Sequence, residues 1–196
     1  EVAQSSVAPE LAEQLHLEIA EYLESDRNDD GIVDHARIAR HFDAAGEPSR
    51  AVDYYYRAAT HALERRGTNE ALRLANIICD RVETTHSFYW RTQKLRINAL
   101  KELGNHDEWK NTLDEMLELA TSKEGSEHEL EVYVELAKYY FNTNSYSEAD
   151  EALERVNELS QETNQPTERL RAAEIKAKTL MNRGEGDRAL TIIDSV

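Results

Sequence analysis

Three stretches decide the fold because they repeat one pattern: residues 102–113 (ELGNHDEWKNTL), 142–153 (NTNSYSEADEAL) and 182–193 (NRGEGDRALTII). Each consists of a short polar turn followed by the start of an amphipathic helix. Aligning the three places Trp109, Ala149 and Ala189 in one column, 40 residues apart each time. A fixed period of this size is typical of stacked helix pairs, in which each pair buries its apolar face only against its neighbours.

The same turn occurs twice more towards the start of the chain. In residues 44–55 (AAGEPSRAVDYY) the aligned residue is Ala51, and in residues 65–75 (RRGTNEALRLA) it is Ala71, only 20 residues later. The half-length offset indicates that one helix is shared between two overlapping helix pairs.

Helical spacing of apolar residues continues along nearly the whole chain, and the breakers are scarce, with 7 Gly and 3 Pro in 196 residues. Helix stops are expected at Gly46, Gly67, Gly104 and Gly184 and in the 142–145 stretch. The pattern predicts ten helices, near residues 9–25, 33–45, 48–66, 68–83, 86–103, 107–122, 127–143, 147–162, 167–183 and 186–196. The short gaps between them predict an all-α fold of antiparallel helix pairs.

Residues 38–59 (IARHFDAAGEPSRAVDYYYRAA) resemble a tetratricopeptide repeat. The characteristic places of that repeat are filled by His35, Ile38, Ala39, Phe42, Gly46, Ala51, Tyr55 and Ala58. They are filled again by Tyr133, Leu136, Ala137, Tyr140, Ala149, Leu153 and Val156, and in the last unit by Ala177, Leu180, Gly184, Ala189 and Ile193. The third unit departs from the pattern, since Trp109 takes a small-residue place and Arg96 a leucine place. The resemblance implies a right-handed solenoid, here with helices extended beyond the family's length of about 34 residues per repeat.

The first third of the chain contains residues 15–24 (LHLEIAEYLE), a short acidic loop and residues 35–72 (HARIARHFDAAGEPSRAVDYYYRAATHALERRGTNEAL). Together they resemble the tetratricopeptide region of bacterial signal-transduction ATPases and transcriptional activators. That region implies a sensor or partner-docking surface. The sequence has no GxxxxGK[ST] loop, so it carries no ATPase module of that kind. We expect residues 1–32 to form an N-terminal tail, helix and acidic loop, and residues 33–196 to form the repeat array, truncated at its C-terminus.

The charge balance restricts the function classes. The chain has 39 Asp and Glu against 23 Lys and Arg, a formal net charge of −16, which argues against a general nucleic-acid binder or a protein that adheres to anionic membranes. A single cysteine, Cys79, excludes a disulfide framework. The polar start, EVAQSSVAPE, has no signal-peptide pattern, and the chain is expected to be cytoplasmic.

Two features invite interpretation as metal sites. Residues 26–34 (DRNDDGIVD) imitate the start of a calcium loop, but Arg37 stands where the closing bidentate Glu belongs; the alternative is a solvated acidic loop with Asp34 near a helix N-terminus. The seven histidines are dispersed, and no two of them have the i, i+4 spacing that metal sites on helices use. We therefore expect no cofactor.

No catalytic constellation is evident either, and the chain is not expected to be an enzyme. Cys79 lies in an apolar stripe, where a thiol behaves as a small hydrophobe. The run Tyr54–Tyr56 contains an expected packing residue, Tyr55, with an aromatic cage for a ligand as the alternative.

The charged residues suggest a site. In tetratricopeptide arrays the first helix of each pair lines a concave groove, and the resemblance places there Arg40, Arg91, Lys94, Asn98, Lys101, Lys138, Asn142, Arg171, Lys178 and Asn182. Lys94 and Asn98 match two positions that clamp a peptide carboxylate in some family members, although Glu135 stands where that clamp needs Asn. The second helices are strongly acidic. A basic groove in an acidic shell would attract an acidic peptide or helix, whereas the alternative is a solvated face of local ion pairs.

These observations predict a non-enzymatic protein-binding or peptide-binding module of a bacterial signalling or regulatory protein. Two alternatives stay open: a small-ligand or signal-peptide sensor that switches an attached effector, and a structural spacer or oligomerisation segment.

Overall fold

A computed structural model describes residues 9–25, 34–122 and 126–194 of the chain. Those residues form helices and turns, without a strand, so the predicted all-α class is confirmed. The helices are α1 (Pro9–Ser25), α2 (His35–Ala44), α3 (Pro48–Glu64), α4 (Thr68–Cys79), α5 (Ser87–Leu103), α6 (His106–Ser122), α7 (Ser126–Asn142), α8 (Tyr146–Glu162), α9 (Pro166–Asn182) and α10 (Gly186–Asp194).

The chain divides into two compact units, Glu1–Gly104 with α1–α5 and Asn105–Val196 with α6–α10, called unit 1 and unit 2 below. Consecutive helices within each unit pack against each other, as expected for antiparallel pairs. The boundary predicted between residues 32 and 33 lies outside the described residues.

Most described turns between helices contain one residue in the left-handed backbone region. These residues are Gly46, Arg66, Gly104, Asn144, Asn164 and Gly184. The expected stop at Gly67 is displaced by one residue, because Arg66 has φ 61° while Gly67 has φ −84° and precedes α4. The last three of these residues lie 20 positions apart, which matches one 17-residue helix plus its three-residue turn.

Unit 1 is arranged in two layers. Helix α3 packs against α2 and α4 and also contacts α5, while Arg81, just after α4, forms an ion pair of 2.6 Å with Asp43 of α2. Since neighbouring helices alternate, α3 and α5 lie in one layer and α2 and α4 in the other. Small and large apolar side chains fill the space between them, among them Ile38, Phe42, Leu74 and Ile78.

Unit 2 is built on the same alternation, and α7 packs against both α8 and α9. Trp109 of α6, at the place where the repeat pattern expects a small residue, is fully buried. Its indole meets the ring of Tyr139 edge-on, with 5.1 Å between ring centroids. The unit therefore accommodates the large ring inside its core.

Candidate partner-binding surface

Helix α5 carries four of the predicted site residues on one exposed face. Arg91, Lys94, Asn98 and Lys101 follow the i, i+3, i+7, i+10 spacing of a single helix side, and all four are exposed. The rest of the circumference of α5 holds the buried residues, including Leu95, Ile97 and Leu100. Burial of these residues, with Leu95 in the core of unit 1, fixes the rotation of α5, so the basic face points to solvent. We call Arg91, Lys94, Asn98 and Lys101 the α5 stripe.

Aromatic rings hold one end of the α5 stripe. The guanidinium of Arg91 lies 5.0 Å from the ring centroid of Tyr56 and 5.6 Å from that of Phe88. The two rings meet each other edge-on, with centroids 5.4 Å apart. Such cation–π contacts orient an arginine without neutralising its charge. A flat cation on two aromatic rings is therefore available to a carboxylate approaching from solvent.

The acidic residue of α5, Glu102, is hydrogen-bonded to a neighbouring helix. Glu102 accepts a hydrogen bond of 2.8 Å from the hydroxyl of Thr68, in the first turn of α4. A carboxylate at that place is favoured by the helix N-terminus. The carboxylate of Glu102, which follows Lys101 in the sequence, is thus engaged with α4.

The predicted basic site residues of unit 2 have acidic neighbours on their own helices. Lys138 contacts Glu135 at 2.5 Å. Arg171 and Lys178 form ion pairs of 2.7 and 2.6 Å with acidic residues one turn before them, Glu168 and Glu174. Hydrogen bonding from Lys178, followed by its charge, lowers the pKa of Glu174.

The amides predicted for the groove in unit 2 are also occupied locally. Asn142 donates a hydrogen bond of 2.6 Å to the backbone carbonyl of Lys138, and Asn182 donates one of 3.4 Å to the hydroxyl of Tyr146. The polar residues predicted on α7 and α9 therefore match the alternative of a face of local pairs.

Arg40 is exposed on α2, which lies in the layer of unit 1 opposite to α5. Its charge helps to lower the pKa of Glu70 on α4, after the hydrogen bond and charge of Arg73. The structure thus groups Arg40 with α4 and away from the α5 stripe. The physical reason is that two helices, α3 and α4, lie between α2 and α5 in the sequence. Because successive helices alternate between the two layers and α3 is shared by two helix pairs, α2 and α5 lie in opposite layers.

The motif that resembles a calcium loop lies outside the described residues except for Asp34. That residue caps α2, since its carboxylate oxygen Oδ1 accepts a hydrogen bond of 3.0 Å from the backbone nitrogen of Arg37. Among the described residues, no three His, Cys, Asp or Glu side chains are grouped to hold a metal ion. Cys79 is half-buried, with its sulfur 3.9 Å from Oε1 of Gln93.

The three consecutive tyrosines have separate surroundings. The Tyr54 ring stacks on Phe42, and its hydroxyl donates a hydrogen bond of 2.6 Å to Glu24; the Tyr55 hydroxyl lies 3.3 Å from Asp43. Tyr56 faces Phe88 and Arg91. Because the three rings point to different neighbours, they do not line one aromatic cage.

Sequence reasoning missed two features. Nδ1 of His16 on α1 and Nδ1 of His41 on α2 lie 2.9 Å apart, a pairing across 25 positions that no local spacing signals. In unit 2, a cavity of about 520 Å³ opens between α8, α9 and α10. The sequence indicates this cavity through the 40-residue repeat alignment, in which small residues stand at positions that hold large residues in the preceding repeat.

Comparisons with known proteins support the repeat assignment. The sequence profile of the tetratricopeptide repeat family matches residues 130–163, which run from within α7 to just beyond α8. No curated protein sequence matches the chain.

Solved structures share its fold. The crystal structure of MamA protein has a TM-score of 0.58 at 14% identity, over 93% of this chain and 88% of that one. Nearly identical TPR-like repeats from a Podosopora anserina protein described as a kinesin light chain have a TM-score of 0.52 at 18% identity, over 80% and 93% of the two chains. A point variant of the same repeats has a TM-score of 0.53 at 20% identity, over 81% and 87%.

Proposed function

We propose that this protein is a non-enzymatic module that binds a protein or peptide, because residues 130–163 match the tetratricopeptide repeat family and the described helices have the fold of such arrays. Repeats of this kind are in general protein-interaction modules. The resemblance of the first third to bacterial signal-transduction ATPases supports a regulatory role in a bacterial cytoplasm. Among the described residues, no helix is long and apolar enough to traverse a bilayer.

The observation that carries the proposal is the α5 stripe. A chain of net charge −16 repels acidic partners in general, so a local basic face selects where an acidic segment can approach. In the proposed complex the guanidinium of Arg91 pairs with a carboxylate, and Lys94, Asn98 and Lys101 extend the contact along α5. The partner is therefore an acidic peptide or an acidic helix face.

The test measures binding of labelled synthetic peptides by fluorescence anisotropy, using an acidic peptide and a neutral one in which Gln replaces Glu. We expect wild-type protein to bind the acidic peptide more tightly. The variant Lys94→Glu/Lys101→Glu should weaken that binding by about tenfold or more, because each reversal turns an attraction into a repulsion. High salt should weaken wild-type binding as well.

The matched control is Arg171→Glu/Lys178→Glu, which changes the net charge equally at two exposed residues of α9 in unit 2, outside the α5 stripe. It should bind the acidic peptide within about twofold of wild type, after correction for the general charge change. If the control loses binding and the α5 variant retains it, the surface lies in unit 2. If the acidic peptide binds no better than the neutral one, the acidic-partner proposal fails.

A second candidate function is small-ligand sensing, favoured by the cavity of unit 2. Its volume of about 520 Å³ falls within the usual range of about 300–1,000 Å³ for ligand pockets. A ligand that binds the folded state raises its melting temperature, so a thermal-shift screen of metabolites tests this candidate.

A further inference from the structure

The cavity of unit 2 is bounded by three helices. It lies between α8 and α9, with a contribution from α10, and its walls combine apolar and charged side chains: Leu153, Glu154, Arg169, Ala173, Lys176 and Ile192. Leu153 is buried, Lys176 and Ile192 are half-buried, and Glu154 and Arg169 are exposed. The cavity therefore has an apolar interior and charged groups towards solvent.

The 40-residue repeat explains why the cavity exists. Residues 133 and 136 of α7, one period earlier, are Tyr133 and the buried Leu136. The corresponding places on α9 hold Ala173 and Lys176. Two further cavity residues, Asn157 and Ala172, likewise stand where the preceding repeat has Leu and Val. The cavity thus lies where the sequence one repeat earlier supplies an aromatic ring and branched aliphatic groups.

An ion pair holds the side chain of Lys176, which stands at the position of Leu136, against the wall of the cavity. Lys176 forms an ion pair of 2.7 Å with Asp150, and Arg183 forms a second of 2.7 Å with the other oxygen of that carboxylate. Burial alone would raise the pKa of Asp150, but hydrogen bonds from Lys176 and Arg183 together with their charges hold it below its ordinary value. With its ammonium anchored in this way, Lys176 does not replace the packing that Leu136 provides.

The walls also suggest what the cavity takes. We propose that it binds an aromatic α-amino acid, whose ring lies beside Ala173, at the place where the sequence one repeat earlier has a tyrosine. The exposed Arg169 pairs with the ligand carboxylate, and the exposed Glu154 pairs with its ammonium group. The ring contacts Leu153, Ala173 and Ile192. This inference rests on the ligand-sensing candidate, which it deepens, and is independent of the α5 stripe.

In the experiment the full chain is titrated with L-phenylalanine and L-tryptophan. Binding is measured by isothermal calorimetry and by the amide chemical shifts of unit 2. N-acetyl-phenylalanine lacks the ammonium and phenylalaninamide lacks the carboxylate, so each removes one of the two proposed pairs. We expect the free amino acids to bind, and each blocked form to bind about tenfold more weakly. Shift changes should be centred on residues 153, 169 and 173.

Two variants test the placement. Ala173→Tyr supplies the missing ring from the protein itself, so it should abolish ligand binding while leaving the melting temperature equal to or above that of wild type. Arg169→Gln should weaken binding of the free amino acid by about tenfold but leave phenylalaninamide binding unchanged. The matched control is Arg171→Gln, two positions along α9, which should bind as wild type does.

The outcomes distinguish the proposed ligand class from the broader candidate function, ligand sensing by the cavity. Full binding by Ala173→Tyr, or equal binding of free and blocked amino acids, would overturn the proposed site. If neither amino acid binds but another metabolite raises the melting temperature of wild type and not of Ala173→Tyr, the ligand class is wrong and sensing by the cavity stands. If nothing in the metabolite screen binds the cavity, both claims fail.

Discussion

At the scale of single residues, Arg66 holds a backbone conformation that favours glycine. Its φ is 61°, in the turn between α3 and α4. An L-residue in this region is disfavoured by about 1–2 kcal/mol relative to its ordinary conformations, and glycine avoids that steric cost. Arg66→Gly should therefore raise the free energy of unfolding by about 0.5–1 kcal/mol, measured by urea denaturation.

The adjacent Arg65 provides the control. Its φ is −93°, which any residue adopts, so Arg65→Gly gains nothing from relief of strain and adds freedom to the unfolded chain. We expect it to lower the free energy of unfolding by up to about 1 kcal/mol. A destabilised Arg66→Gly protein would show that the arginine side chain contributes more than the backbone strain costs.

A second prediction at this scale concerns His41. Burial, followed by the charges of His16, Arg37 and Arg40, lowers its pKa below the ordinary value. The unfolded chain therefore takes up this proton at a higher pH than the folded chain. The stability due to neutral His41 is present above the unfolded pKa of about 6.5 and is lost as the pH falls through the folded pKa.

His35 shifts in the same direction, through burial and the charges of Arg57 and His61, opposed by Asp34 and Asp53. The urea midpoint should fall between about pH 7 and pH 5. His41→Gln should show a shallower fall, since it removes one of the two groups. An identical pH slope in wild type and variant would refute the role of His41.

At the scale of elements, α1 is held by its inner side and by polar contacts to α2 and α3. Its buried residue is Ala20, while Leu11, Leu15 and Tyr22 are exposed on its outer side. Arg50 of α3 bonds Glu21 at 3.2 Å and Glu24 at 2.6 Å, and the Tyr54 hydroxyl donates to Glu24. Burial, then the hydrogen bond and charge of Glu24, raise the pKa of Tyr54 to about 12, so the hydroxyl remains a donor at neutral pH.

Tyr54→Phe should loosen α1. The loss of one hydrogen bond to a charged acceptor should cost about 1–2 kcal/mol and accelerate amide exchange in α1 more than in α3. Tyr22→Phe is the matched control, because Tyr22 is 65% exposed on the outer side of the same helix. Equal exchange rates in α1 for wild type and Tyr54→Phe would contradict this account.

The helices themselves were predictable from the sequence, with boundaries mostly within two residues. The main deviation is α4, which ends at Cys79 although its pattern suggests about residue 83. There Arg81 bonds to Asp43 of α2 and to the backbone oxygen of Ile77. This contact spans 38 positions and meets the chain just after the helix end, and local spacing carries no information about it.

At the scale of the whole molecule, the net charge of −16 predicts a salt response. Repulsion among like charges destabilises a compact chain, and added salt screens it. The melting temperature should rise by a few degrees between about 20 and 300 mM NaCl, measured by calorimetry. A variant of two exposed residues on α8 provides the check. Glu148→Gln/Glu151→Gln removes two like charges, so its melting temperature should rise less with added salt than that of wild type. A fall in melting temperature would show that ion pairs dominate the response.

The candidate surface was only partly predictable from the sequence. The spacing of the α5 stripe identifies one helix side, and the structure exposes that side. Arg40 is grouped with the α5 stripe by assigning helices to successive pairs and taking the first helix of each pair. That assignment fails in unit 1, because α3 belongs to two overlapping pairs. The contact of His16 with His41 and the ion pairs around Asp150 depend on which helices meet in space.

The turn residues Asn144, Asn164 and Gly184 divide unit 2 into lengths of 20 residues. Gain or loss of 40 residues leaves every remaining helix on its original side of the array. Gain or loss of 20 would transfer all later helices to the opposite side, so that their exposed side chains, though unchanged, would become part of the other surface of the array. A change in gene length of one helix is therefore a route by which such proteins can acquire a new binding surface in a single evolutionary step.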